Sequence, residues 1–275
     1  MTKQLPVVAA IPNYNMAENL QKLLPQVLGQ GYDGVFVLDD ASTDHSAEVV
    51  DEFCDEVKLI RSPQNRGASA NRNQIIDHVS DAALIHFIDA DMDLATKENP
   101  AVARDLFARY ADRRVGAIGG LVSRADGSQE PYNYGPVFSL GSIFTAVPPL
   151  TDCLREKPRA VKALRRISMP GRKSWPNVFE PPVPTETYWV AEGNMLIQSG
   201  VFKSVGGFDP LIRAHEAQDL AIRLEKRGVK RRFDPSIEVI HHYVDVRGKN
   251  RGKQQRKAAL YLIRKHGLVR WLTDG

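Results

Sequence analysis

Short apolar runs that stop at polar loops, each followed by apolar residues three and four positions apart, recur from the start of the chain. Residues 7–11 form the first run and end at Pro12-Asn13-Tyr14-Asn15. Leu20, Leu23, Leu24, Val27 and Leu28 then fall at helical spacing over residues 19–28, and Pro25 predicts a kink or an end to that helix. After a turn cluster, residues 35–38 run into Asp39-Asp40-Ala41-Ser42-Thr43-Asp44 and a helix near 46–53. Residues 57–61 run into Ser62-Pro63-Gln64-Asn65-Arg66-Gly67 and a helix over about 68–79, and the run 83–88 stops at Asp89-Ala90-Asp91. A helix over 100–110 and a strand over 115–122 complete the series. Such alternation with short connections predicts an α/β fold around a mostly parallel sheet whose strands end in polar loops on one side.

Beyond residue 124 the pattern loosens. Residues 131–186 carry ten prolines, with a short helix expected around 160–167, and read as an insertion for a second substrate. Order returns with a strand signal over 188–197, the turn Gly206-Gly207-Phe208-Asp209, a helix over 216–226, and a strand over 237–240 that ends at His241-His242. The predicted division is a nucleotide-binding half at 1–123, an acceptor-binding half at 124–245 and a basic tail at 246–275.

With 275 residues, 43% hydrophobic and 25% charged, the chain can bury the core of one or two closely packed domains. No apolar stretch approaches the ~20 residues that span a bilayer, and no signal-peptide pattern precedes the first strand, so a cytoplasmic location is expected. Cys54 and Cys153 are far apart and lack neighbours at metal spacing, which points away from a disulfide framework or a zinc site. The net charge of +4 is uneven: residues 155–173 hold eight Lys/Arg and one acid, and residues 245–275 hold nine and two. The remainder carries 20 basic and 30 acidic residues. That distribution excludes a diffusely basic nucleic-acid binder and fits an anionic ligand or an anionic membrane surface, peripheral on the cytoplasmic leaflet.

In parallel sheets, ligands bind outside the carboxyl ends of the strands. Asp89 and Asp91 therefore fall where a ligand belongs, and with Ala90 keeping the turn narrow their oxygens can converge on a hard cation, Mg2+ or Mn2+, which brings phosphate oxygens with it. A calcium loop starting at Asp89 is excluded, because Leu94 stands at its glycine position and Pro100 at its closing glutamate. Tyr14 can stack on a base, while a carboxylate in the Asp39-Asp40 pair can accept a ring N–H such as uracil offers. Arg66 and Arg72 straddle Gly67, and either can pair with phosphate or base. Ser42 and Asp44 equally fit turn and capping roles.

Taken in order, residues 11–15, 38–44, 65–67 with Arg72-Asn73, 89–91, 206–209 and 216–223 resemble the motifs of GT-A glycosyltransferases, most closely the inverting family 2, over about residues 5–245. The resemblance implies a nucleoside-diphosphate sugar donor, UDP-linked by preference, with Pro12, Tyr14, Asp39, Asp40, Arg66, Gly67, Arg72, Asp89 and Ala90 around it. It also implies Asp40 on the base, Asp91 on the metal, Asp89 on the ribose or metal, and His241 or His242 as a further metal ligand. Consecutive on a strand, these two histidines point to opposite faces, so only one can serve. Lys249, Arg251 and Lys253, in a glycine-punctuated stretch, are expected to fold over the diphosphate. Trp189, Glu192, Gly193 and Asn194 are expected at the sugar or acceptor. The family's Glu-Asp-x-Asp-Leu-x-x-Arg pattern reads Glu216-Ala217-Gln218-Asp219-Leu220-Ala221-Ile222-Arg223 here, so the usual base position is alanine. Glu216 is the favoured base, with Asp219 as the other candidate, unless its i+4 neighbour Arg223 holds it. This departure leaves inverting and retaining outcomes both open. The acceptor implied is a glycan or lipid-linked saccharide, a small soluble acceptor being the alternative.

Competing functions need features the chain lacks. A nucleotidyltransferase or a Rossmann dehydrogenase requires a glycine-rich loop after the first strand, where Pro12-Asn13-Tyr14-Asn15 stands. A non-enzymatic basic membrane adaptor would leave the carboxylate motifs without a role.

Overall fold

The computed structural model describes residues 4–140, 175–176, 180–242 and 251–273. The alternation of the first half folds as expected: β1 (Val7–Asn13), α1 (Ala17–Leu28), β2 (Gly34–Asp39), α2 (Ser46–Asp51), β3 (Val57–Arg61), α3 (Ala68–Asn73) and β4 (Leu84–Ile88). Then come β5 (Met92–Leu94), α4 (Asn99–Arg109), β6 (Val115–Arg124) and the short β7 (Tyr134–Gly135). The second half adds β8 (Thr185–Thr187), β9 (Trp189–Val190), β10 (Asn194–Gln198), α5 (Ser199–Ser204), α6 (Glu216–Glu225), β11 (Lys230–His241), α7 (Arg251–His266) and α8 (Leu268–Thr273).

The main sheet runs β3-β2-β1-β4-β10-β6-β11-β5, with β8 also paired to β11, while β7 and β9 form a separate ribbon. The pairs β3/β2, β2/β1 and β1/β4 are parallel, so β1, β2 and β4 end together at Asn13, Asp39 and Ile88. β10 enters antiparallel between β4 and β6. The two halves expected from the sequence therefore share one sheet. Apolar side chains of β1, β2 and β4 fill both faces: Phe36, Leu38, Ile85 and Phe87 pack with Phe202 and Phe208, while Ile11, Val35 and Val37 pack under α1 through Leu20, Leu23 and Leu24.

Several boundaries move for local reasons. α1 runs through Pro25 to Leu28 and starts two residues earlier than the leucine spacing predicts, because Asp44 Oδ2 accepts the Ala17 N–H at 3.0 Å. The helix expected over 68–79 is α-helical to Asn73 and continues as a 3-10 turn over Gln74–His78. β11 is 12 residues long, with an irregularity between Phe233 and Glu238. The basic tail contains two helices, and the helix expected at 160–167 lies outside the described residues, as does most of the proline-rich insertion.

Candidate active site

The loops after β1 and β2 form one wall of the candidate site. Asn13 Nδ2 donates to Asp39 Oδ1 at 2.9 Å and to Ser42 Oγ at 3.1 Å. Asp39, 1% exposed, also accepts the Ser42 N–H at 3.1 Å and the Ser42 hydroxyl, and pairs with Arg61 Nε at 3.2 Å. Its carboxylate thus braces the two strand ends against each other. Asp40, 2% exposed, accepts the backbone N–H groups of Arg66 at 2.9 Å and Gly67 at 2.7 Å, and so shapes the loop that leads into α3. Gly67 turns that loop with φ of 89°, a value that costs a side-chain-bearing residue free energy. Ser42 and Asp44 take bracing roles: Ser42 Oγ accepts the Asn15 N–H at 2.9 Å, and Asp44 caps both α1 and α2. Tyr14 stands 40% exposed at the rim beside Pro12, and Asn15 and Ala41 hold left-handed backbone at φ of 54° and 61°. Strain of this kind gathers where a loop is shaped for a ligand.

Past the end of β4, Asp89 and Asp91 flank the buried Ala90. Arg72, on α3 and 4% exposed, reaches Asp89 Oδ1 with Nη2 at 2.5 Å, with its guanidinium 5.8 Å from the Phe208 ring. Burial would lower the Arg72 pKa, but Asp89, Glu192 and Glu216 together hold it above its ordinary value. Asp89 thus contacts the buried guanidinium directly, while the charges of Glu192 and Glu216 act on it. Gly193 permits the arrangement, since a Cβ there would lie 2.6 Å from Asp89 Oδ2 and 2.7 Å from Met92 Cε. Among the described residues the buried Asn13 Oδ1 and Arg72 Nε have no hydrogen-bond partner, as expected of groups that a bound molecule satisfies.

The histidine pair splits as the strand geometry requires. His241 Nε2 lies 3.2 Å from Asp91 Oδ2 and its Nδ1 lies 3.9 Å from Glu130 Oε1. Burial would lower the His241 pKa, yet its hydrogen bonds to Asp91 and Glu130 and the charges of Asp91 and Asp89 raise it to about 10. His242 turns the other way, onto Asp93 Oδ2 at 2.6 Å. Glu130 carried no local signal in the sequence, because its link to His241 is made only when β6 and β11 pair.

Glu216 opens α6, 4% exposed and charge-coupled to Arg72, after His215 at φ of 63°. Asp219 is held by a different set of partners. Arg223 Nε at 2.7 Å, Lys265 Nζ at 2.8 Å and His266 Nε2 at 2.8 Å surround its fully buried carboxylate. Burial opposes ionisation, but the His266 and Lys265 hydrogen bonds and the Arg223 and Lys265 charges hold the Asp219 pKa to about 2. A carboxylate so stabilised is a poor proton acceptor. Ala217 packs with Trp189 and Ala221. Asn194, expected at the sugar, is 1% exposed and committed to the sheet: Nδ2 donates to the carbonyls of Leu121 at 2.9 Å and Ile237 at 3.2 Å, and Oδ1 faces His86 Nε2 at 2.8 Å. His86, its pKa lowered to about 4 chiefly by burial, is neutral and takes the Tyr32 hydroxyl on Nδ1 at 2.7 Å. Trp189, expected with Asn194, is 5% exposed and packs edge-on to Trp175. Lys249 lies outside the described residues, and Arg251 is the first residue of α7.

Among the described residues, no group of three or more His, Cys, Asp or Glu is arranged to hold a metal by itself. Asp91 and His241 nevertheless present a carboxylate and an imidazole side by side at the strand ends, a donor pair that would fit Mg2+ or Mn2+ once the cation displaces the imidazolium proton and phosphate oxygens and water complete the shell. A hollow of about 740 Å3 at the start of β6, lined by Leu5, Phe107, Val115 and Val229, contains none of these groups.

Residues 8–133 match the family model described as Glycosyl transferase family 2. A relative, Glycosyltransferase AglE of Haloferax volcanii, is 36% identical over 99 residues, which are 33% of this chain and 32% of that protein. Among solved structures, the mannosyltransferase PcManGT from Pyrobaculum calidifontis, in complex with GDP-Man and Mn2+, superposes with a TM-score of 0.61 at 18% identity, over 96% of this chain and 65% of that one. GalNAc-T7 with UDP, GalNAc and Mn2+ gives a TM-score of 0.61 at 16% identity, over 88% and 45%. S. aureus TarS with UDP-GlcNAc gives 0.56 at 13%, over 94% and 66%. The chain spans less than two thirds of each of these proteins. The likeness establishes a GT-A fold, and the resemblance to family 2 read from the motifs holds.

Proposed function

We propose, for a chain with a GT-A fold and a family 2 match over residues 8–133, metal-dependent transfer of a sugar from a nucleoside-diphosphate sugar to a hydroxyl group. UDP is the preferred nucleotide, inversion the expected outcome, and a glycan or lipid-linked saccharide at the cytoplasmic leaflet the acceptor. The observation that carries this reading is the pairing, outside the strand ends, of Asp91 with His241 and of Asp89 with the buried Arg72.

Asp91 and His241 would hold a divalent cation, which when bound supplies positive charge to the oxygens of the leaving diphosphate. Arg72 fixes Asp89 through one oxygen at 2.5 Å, leaving the other for a ribose hydroxyl. Asp40 orders the Arg66-Gly67 loop, and each of its oxygens retains a lone pair for a ring N–H. Glu216 takes the acceptor hydroxyl proton as that oxygen bonds to the anomeric carbon, while the bond from that carbon to the diphosphate oxygen breaks and the nucleoside diphosphate departs with the electron pair. Burial beside Arg72 keeps water from the base until the acceptor arrives. One observation favours a retaining reading: residue 217 is an alanine packed on Trp189. NMR of the product anomer separates the two.

The test is a thermal-shift screen of nucleotide sugars with and without Mn2+. UDP-sugars should raise Tm in Mn2+, since a ligand at 100-fold its Kd stabilises by about 2.7 kcal/mol. A screen in which no nucleotide sugar moves Tm removes the reading.

A further inference from the structure

The C-terminal helix pair has two faces of opposite character. On α7 the inner stripe, Ala258, Tyr261, Leu262, Lys265 and His266, recurs at helical spacing and docks on the acceptor side. Ala258 and Leu262 pack with Phe138, Ile212 and Ala214. Tyr261 donates to Asp209 Oδ2 at 2.9 Å, and Lys265 bridges Asp209 at 2.6 Å and Asp219 at 2.8 Å. On α8, Arg270 pairs with Glu225 at 2.5 Å. The inward cations are therefore matched by acids of the body.

The outer stripe has no such match. Lys253, Arg256, Lys257 and Arg264 stand seven, four, three and four positions from Leu260, all on one side of α7, and all are exposed. None has an ion-pair partner among the described residues. Leu260 is 57% exposed, Leu268 56%, Val269 74% and Leu272 52%, and Leu211, on the loop that α7 packs against, is 74% exposed. No acidic residue occurs from 253 to 273.

We infer that this stripe, Lys253, Arg256, Lys257, Leu260 and Arg264 with the exposed apolar residues of α8, is the surface by which the protein docks on an anionic lipid bilayer. The inference rests on the proposed membrane-side acceptor and names its docking face. Charge decides for lipid: four unpaired cations without an interspersed acid complement anionic headgroups, while the leucines between them reach the acyl boundary. Docking is transmitted to the chemistry through the inner stripe, because Asp209 and Asp219 tie α7 to the loop carrying Leu211 and to α6, whose first residue is Glu216.

The experiment is vesicle sedimentation of the full chain over graded phosphatidylserine content at low and high salt, with Arg256→Gln/Arg264→Gln compared. Wild type should bind more as anionic lipid rises and less as salt rises. At about 1 kcal/mol, or about fivefold, per basic residue, the double variant should partition about 25-fold more weakly. Its Tm and its Mn2+-dependent UDP affinity, measured on the same samples, should match wild type. Binding indifferent to lipid charge, no binding, or a variant that binds like wild type overturns the inference. A lipid-free dimer that the double variant abolishes would make a second copy the occupant instead. Loss of UDP affinity in the wild type with vesicle binding intact would remove the proposed function and leave the docking face standing.

Discussion

Replacing Asp219 by asparagine distinguishes a structural carboxylate from a catalytic one. The amide keeps the volume but loses the charge that Arg223, Lys265 and His266 share, and one of its two ends must present N–H groups to donors. The partners are not equally harmed. Arg223 keeps the carbonyls of Val205 and Gly207, both at 2.6 Å, and Lys265 keeps Asp209 at 2.6 Å. His266 loses its bond to Asp219, and among the described residues its buried Nδ1 has no partner to compensate. Breaking a buried charge cluster from one side costs about 3–5 kcal/mol, and the surviving bonds argue for the lower end, about 3 kcal/mol. In a chain of this size that is a fall in Tm of about 6–12 °C. Calorimetric melting reads it directly, and UDP affinity in Mn2+ should stay at the wild-type value because Asp219 lies off the donor cluster. Glu216→Gln should give the opposite pattern, with Tm and donor affinity kept and transfer abolished. A stable Asp219→Asn protein that binds donor and transfers nothing would refute the assignment and make Asp219 the base.

Acid should expose the same cluster. Asp219 has its pKa lowered from 3.8 to about 2 in the fold, with Arg223 on its own helix and Lys265 and His266 from α7 facing it. A depressed carboxylate contributes stability that is full above the unfolded pKa and is lost as pH falls through the folded one, so on the order of 2 kcal/mol should disappear between about pH 4 and pH 2. Urea midpoints of wild type and Asp219→Asn should converge over that range, and a constant gap would contradict it. Gly193→Ala places a Cβ 2.6 Å from Asp89 Oδ2, so Asp89 must leave Arg72 and Mn2+-dependent UDP affinity should fall about tenfold, or about 1.4 kcal/mol, by calorimetry. Unchanged affinity would mean that Asp89 does not contact the donor.

The strand ends around the candidate site were legible because local pattern and local structure coincide there: apolar runs end at Asn13, Asp39 and Ile88, and the carboxylates follow at once. The supporting place of Asp39 beside Asp40 came from the family resemblance, whereas its partners Asn13 and Arg61 come from other strands and gave no local signal. Asn194 sits beside Gly193 in sequence and reads as a ligand contact. Its function is instead to satisfy sheet carbonyls and the neutral His86, a task visible only once β10 is inserted between β4 and β6. Asp219 was ambiguous for the same reason: Arg223 is four residues away and foreseeable, whereas Lys265 and His266 reach it from another helix.

Calorimetric titration of UDP into wild type and Asp91→Ala, each with and without Mn2+, tests the central claim most directly. Removing Asp91 takes from His241 the carboxylate that raises its pKa, so the variant should melt somewhat below wild type while still folding cooperatively. Its UDP affinity in Mn2+ should drop to the metal-free level. An Asp91→Ala protein that still binds UDP more tightly in Mn2+ than without it would contradict the account, because the cation and its diphosphate would then be held elsewhere.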